Sequence, residues 1–127
     1  SQTFPYVRPQ ENGNKTDVRW MALSNGSIGL MAKGLPIFDG SVHHYSYSQL
    51  YYEKNSQRHG KIDIIPGDQI DWLIDYRQMG VGGDNSWGAT PHLQYILTPA
   101  PMSFSFIFMP FENKDDLNEL YRMKIVQ

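Results

Sequence analysis

Cysteine is absent from the 127 residues, and that removes several chemistries at once. No disulfide can staple the chain, and no thiolate can hold a metal or attack a substrate. The compartment stays open, cytoplasm or periplasm, because a secreted chain need not carry cysteine and a cytosolic one needs none. No apolar run approaches the ~20 residues that cross a bilayer as a helix. No charged-then-apolar leader opens the chain, since Ser1 leads straight into the strand-like Thr3–Arg8. Charge of one sign is missing too. Eleven Lys and Arg stand against 13 Asp and Glu, a net of −2, so no basic face offers itself to a phosphate backbone. Neither nucleic acid nor membrane is expected as a partner.

The recurrent catalytic motifs are also missing. There is no Gly-x-Ser-x-Gly elbow. Gly80-Val81-Gly82-Gly83 is not followed by Lys-Ser or Lys-Thr, so a phosphate loop fails, and Asn85 sits where a dinucleotide fingerprint needs its third glycine. The four histidines, His43, His44, His59 and His92, show no His-x-His or His-x₃-His spacing for a metal. Adjacent His43 and His44 face opposite ways in a strand. Glycoside hydrolysis needs two carboxylates facing each other across a sugar. Asp115 and Asp116 are adjacent and do not suit this. Asp63, Asp68, Asp71 and Asp75 lie in or between strands, with no partner legible in the pattern that would raise a pKa. No catalytic residue and no metal ligand is expected in this chain.

Aromatic residues are plentiful. Eight Tyr, six Phe and three Trp make up 13% of the chain, and such residues favour strands and flat binding surfaces. Period-2 alternation dominates. Val18 and Trp20 alternate with Arg19 and Met21. Trp72, Ile74 and Tyr76 oppose Leu73 and Asp75. Leu93, Tyr95 and Leu97 oppose His92 and Gln94. Met102, Phe104, Phe106 and Phe108 oppose Ser103 and Ser105. Each predicts a strand with one buried face. Gly and Pro punctuate the strands, at Gly26, Gly34-Leu35-Pro36, Pro66-Gly67 and Pro99-Ala100-Pro101 among others. Ser46 and Gln49 have capping-box spacing and predict a short helix towards Asn55. Asn113 can cap a second helix, with Asp115 and Asp116 in its first turn and Leu117, Leu120 and Tyr121 as its apolar stripe. The whole predicts one all-β, antiparallel domain over 1–110 and a short helical tail over 111–127.

Two segments carry binding chemistry. Gly80-Val81-Gly82-Gly83-Asp84-Asn85-Ser86-Trp87-Gly88 is a tight polar loop ending in an indole. Such an indole can stack on the C–H face of a pyranose while Asp84 and Asn85 support the loop. By residue chemistry alone, the commoner fate of such a Trp is to close the core beneath its loop. The second segment is Glu11-Asn12-Gly13 followed by Asp17-Val18-Arg19-Trp20. Asn12-Gly13 is a strong turn signal, and Glu11, Asp17 and Arg19 could form a polar rim. The blander expectation is a solvated turn with a surface charge pair and Trp20 in the core. Two glycosylation triplets, Asn14-Lys-Thr16 and Asn25-Gly-Ser27, matter only in a eukaryotic secretory pathway.

Three blocks carry a resemblance. Tyr6 to Gly13, continuing to Asp17-Val18-Arg19-Trp20, is similar to a stretch in the last domain of β-galactosidases of glycoside hydrolase family 2. Tyr45-Ser46 with Leu50 resembles the next block, and Met79 to Gly88 resembles the third and most specific one. The blocks keep the family's order over residues 6 to about 108. The resemblance implies a non-catalytic C-terminal segment of a retaining glycosidase. Its fold would be the second half of a galactose mutarotase-like antiparallel supersandwich. The catalytic glutamates and the magnesium and sodium ligands would lie in other domains, which become this segment's partners. Trp87 matches a Trp that stacks on the galactoside, with Asp84 and Asn85 as loop support and Glu11, Asn12 and Arg19 as outer candidates. The resemblance thus reverses the core reading of Trp87. Sheet edges normally paired within the parent would be open here and invite self-association. The alternative is a free-standing carbohydrate-binding β-sandwich. A mutarotase-like epimerase would need a His and a carboxylate facing one pocket, which no histidine here offers by pattern.

Overall fold

The computed structural model describes residues 3–4, 11–50, 64–80, 82, 84–85 and 87–124. Four strands and one short helix form there: β1 (Lys15–Ser24), β2 (Ile28–His43), β3 (Asp71–Asp75), β4 (Ser105–Glu112) and α1 (Leu117–Arg122). β2 is hydrogen-bonded to all three other strands, and its ladders to β3 and β4 are antiparallel. The all-β, antiparallel class read from the alternation holds. Thr3–Arg8, expected as a strand, falls mostly outside the described residues, as do the end of the helix expected from Ser46, His59 and Asp63.

The chain divides into two compact units. One draws on Ser1–Thr16 and Asp39–Asp75, the other on Asp17–Phe38 and Tyr76–Gln127. In the second unit, Asn25 makes the turn between β1 and β2. Its Oδ1 accepts from the backbone N–H groups of Ser27 and Ile28, at 3.0 Å each. The β2/β4 ladder runs from Ile28 opposite Glu112 to Leu35 opposite Ser105. Gly29 lies opposite Phe111, and a Cβ there would collide with the Phe111 ring and with the Leu23 carbonyl. The missing side chain is therefore what lets this ring lie across the strand. Met31, Ala32, Phe38 and Phe111 are buried. Phe104 stacks on Phe106 at 5.9 Å between centroids, Phe108 meets Phe106 edge-on at 5.2 Å, and Tyr76 lies tilted against Phe104 at 5.8 Å.

Several expectations need correcting. Gly34-Leu35-Pro36 does not end a strand, because β2 runs through it for 16 residues with a cis Leu35–Pro36 bond. Pro36 falls after the last residue paired with β4 and before Asp39, the first paired with β3, so its missing N–H costs neither ladder a bond. Phe108 is 49% exposed, so the β4 aromatic face is only partly buried. Leu93–Tyr95 is a 3₁₀ turn, not a strand. It curls because the N–H groups of Tyr95 and Ile96 donate to the carbonyls of His92 and Leu93, at 2.8 and 3.2 Å. Among the described residues, the Ser46 start yields a 3₁₀ turn, Tyr47–Leu50. Gln49 does not reach back to cap it. Its side chain instead exchanges two hydrogen bonds with the backbone of Ile65, at 2.9 and 3.1 Å.

The tail helix starts later than expected. Asn113 donates its N–H to Ser27 O, and Asp115 Oδ2 accepts from Glu112 N–H, so both residues serve the end of β4. Asp116 becomes the cap, its side chain accepting from Asn118 and Glu119. Lys33 of β2 holds the helix, donating to Met123 O at 2.8 Å with its ammonium 5.2 Å from the Tyr121 ring centroid.

Candidate substrate-facing loop

The Gly-rich segment forms a loop closed at its base. Gly80 N–H donates to Tyr95 O at 2.9 Å, and a Cβ on Gly80 would come within 2.7 Å of Tyr95 Cβ. Only glycine allows the two arms to meet so closely. Higher up, Gly82 and Gly88 take φ values of +90° and +117°, in the region that side chains disfavour. Asn85 Oδ1 accepts the Trp87 N–H at 2.9 Å, a two-residue side-chain turn at the tip. Asp84 points elsewhere: its Oδ1 lies 2.9 Å from His92 Nε2. Trp87 is 93% exposed, so the indole closes no core among the described residues.

Arg19 is exposed on β1, in a different unit from Glu11 and Asn12, and Asp17 takes a left-handed φ of 55° that Asp tolerates. The expected solvated turn at Asn12 is not what forms. Asn12 is buried and binds in three directions. Its Oδ1 accepts from Phe4 N–H at 3.0 Å, its Nδ2 donates to the Tyr45 hydroxyl at 3.1 Å, and its carbonyl lies 2.9 Å from His43 Nε2. His43 stacks on Tyr45 with centroids 4.6 Å apart. His43, the last residue of β2, is buried, while His44, just past its end, is exposed. Burial pushes the Tyr45 hydroxyl pKa up. The Asn12 hydrogen bond works against this, the Glu11 charge adds to it, and a Thr3 hydrogen bond again opposes it.

A second correction concerns carboxylates. Asp75 stands directly opposite Asp39 in the β2/β3 ladder. Its pKa is raised, first by burial and then by the charges of Glu11 and Asp39. Sequence spacing could not show this, because the partners lie far apart in the chain and meet only through strand register. The pair is no glycosidase couple. Cross-strand partners sit side by side, and Asp39 is buried, so no sugar fits between them. Asp71 accepts the Tyr47 N–H at 2.9 Å. Among the described residues, no three His, Asp or Glu side chains gather to hold a metal ion.

Comparison with known proteins completes the picture. A family model described as beta galactosidase small chain matches residues 1–108. The chain belongs to the β-galactosidase small-chain family. A beta-galactosidase of Priestia megaterium is 41% identical over 97 residues, covering 76% of this chain and 9% of the relative. One from Pseudoalteromonas haloplanktis is 32% identical over 101 residues, covering 80% of this chain and 9% of the relative. One from Photobacterium profundum is 31% identical over 109 residues, covering 86% and 10%. The small-chain segment thus spans about a tenth of the length of the curated relatives it matches, and other domains of a parent enzyme are implied. Both arms of the Trp87 loop lie inside the matched residues, and α1 lies beyond them. Sequence reading missed Tyr45, His43 and His92 as members of networks. The only local signal was the polar Asn12-Gly13 turn, because their partners are brought by the ladder and the loop.

Proposed function

We propose that this small-chain segment is a non-catalytic, C-terminal β-sandwich part of a retaining β-galactosidase of glycoside hydrolase family 2, and that it lends Trp87 to the galactoside site. The exposed indole on its closed glycine loop carries the reading. Asn85 and Asp84 shape the loop, and the apolar face of the sugar stacks on the indole. The two carboxylates of a retaining enzyme stand about 5–5.5 Å apart across the scissile bond. They, and the family's magnesium and sodium, belong to the remaining domains. The segment by itself therefore leaves a chromogenic β-galactoside unhydrolysed, and turnover above buffer in protein free of host enzyme contradicts that.

The decisive experiment is Trp87→Ala in the complete galactosidase. Stacking is present in the ground state, so KM rises about tenfold, the equivalent of ~1.4 kcal/mol, while kcat changes less. The melting temperature stays within the narrow range of a surface substitution. An unchanged KM alongside lost stability assigns Trp87 to packing and ends the proposal.

A further inference from the structure

We infer that His92, acting through Asp84, is the positioning residue that aims Trp87; the inference rests on the substrate-stacking reading above. The indole is not held by packing, since Trp87 is 93% exposed. The backbone of the loop tip therefore sets the Cα–Cβ vector about which the indole takes its rotamers. That backbone runs between Gly82 and Gly88, both at positive φ and both with open space where a Cβ would stand. Such glycines are points about which a tip can swing. The Asn85 bond to the Trp87 N–H fixes the tip's internal shape, but both its ends lie between those two glycines. It cannot fix the direction in which the tip points.

The contact between Asp84 and His92 can. Asp84 precedes Trp87 and Gly88, and His92 follows them, so their 2.9 Å contact closes a ring across the second swivel. The His92 end is anchored. Its carbonyl accepts the Tyr95 N–H at 2.8 Å, and Tyr95 O in turn accepts Gly80 N–H at 2.9 Å, which ties this arm to the base of the loop. His92 Nε2–H donates to the carboxylate when the ring is neutral, and the same bond is charge-assisted when the ring is protonated. The two side chains are 62% and 82% exposed, so the contact adds little to global stability. A tie of this kind restricts where a side chain points without being needed for the fold.

The test uses the 127-residue chain labelled with 5-fluorotryptophan, observed by ¹⁹F NMR. Three resonances arise from Trp20, Trp72 and Trp87, and Trp87→Phe identifies the third. His92→Ala and Asp84→Ala should each shift and sharpen the Trp87 resonance by the same amount, leave the other two in place and leave the melting temperature unchanged. The double variant should do no more than either single one. His92→Gln, which keeps a donor nitrogen, and the swap Asp84→His with His92→Asp should restore the native signal. A Trp87 resonance indifferent to both single variants overturns the inference, and so does movement of the Trp20 or Trp72 signals.

A kinetic arm separates this claim from the one beneath it. In the complete galactosidase, His92→Ala should raise KM for the galactoside about two- to fivefold with kcat little changed, the range that an exposed pair can transmit. If Trp87→Ala raises KM and His92→Ala does not, positioning by His92 is refuted while stacking stands. If neither changes KM, the stacking reading fails, and the fluorine signals still decide whether His92 directs the indole.

Discussion

The unit drawing on Ser1–Thr16 and Asp39–Asp75 buries Asn12, Asp39, Ser41 and His43 beside Tyr45, whereas the unit containing Asp17–Phe38 buries Met31, Ala32, Phe38 and Phe111. One interior is ordered by hydrogen bonds, the other by apolar contact. The difference has a physical consequence. An apolar interior tolerates any neighbour of suitable size and shape, so its cost of disruption scales with the volume removed. A polar interior depends on named partners, and removing one leaves the other buried without its bond. Alternation in the sequence marks Phe104, Phe106 and Phe108, not the four residues buried in the apolar interior. It leaves no trace of the polar interior, because His43 and Tyr45 lie 31 and 33 residues from Asn12 and look unremarkable in their own neighbourhoods.

The sharpest way to break the comparison is Phe38→Ala. Phe38 is fully buried, and the cavity should cost about 3–5 kcal/mol in chemical denaturation. A cost below about 1 kcal/mol would mean that the second unit is not organised around this ring. Asn12→Ala is the matching test of the polar interior. It removes the bonds to the Phe4 N–H and the Tyr45 hydroxyl from a buried side chain, and should cost about 1–3 kcal/mol, with hydrogen exchange accelerating first around residues 39–45. Uniform acceleration across both units would remove the distinction drawn between them. Gly29→Ala should cost a comparable ~1–3 kcal/mol through overpacking against Phe111 and the Leu23 carbonyl. Pairing it with Phe111→Ala should recover part of the loss, and strict additivity of the two would show that the ring is not the obstacle.

The smallest effect concerns pH. The folded state raises the Asp75 pKa, so between the ordinary carboxylate value of 3.8 and the raised one it binds more protons than the unfolded chain. Its stabilising contribution is present below that ordinary value and is lost as pH rises through the raised one. Asp75→Asn should therefore raise the melting temperature modestly at neutral pH, with the gain fading as pH falls towards the carboxylate range. A gain that persists at low pH would trace to something other than the burial of the ionised Asp75 carboxylate and its repulsion by Glu11 and Asp39. Tyr45 has the same sign in a different window, with stability lost as pH rises beyond its ordinary value of 10.

The sequence by itself determined the strand class and where three of the strands lie, but not which face each buries. Alternation around Trp20, Trp72 and Phe106 marks β1, β3 and β4, since side chains on a strand must alternate between its two faces. It also marked the Trp87 loop, because closely spaced glycines followed by an indole form a local signal. It misjudged features whose cause is remote. Gln49 pairs with Ile65 instead of capping its own turn, the helix cap falls to Asp116 and not Asn113, and Pro36 sits in β2 between the residues paired with β4 and those paired with β3. Only the tertiary structure decided that Asn12 is buried among Phe4, His43 and Tyr45, that Asp75 faces Asp39, and that Asp84 closes on His92. The reason is common to all three. Periodicity records which face a side chain takes, but the partner it meets there is chosen by strand register and loop closure, which bring together residues the chain keeps apart.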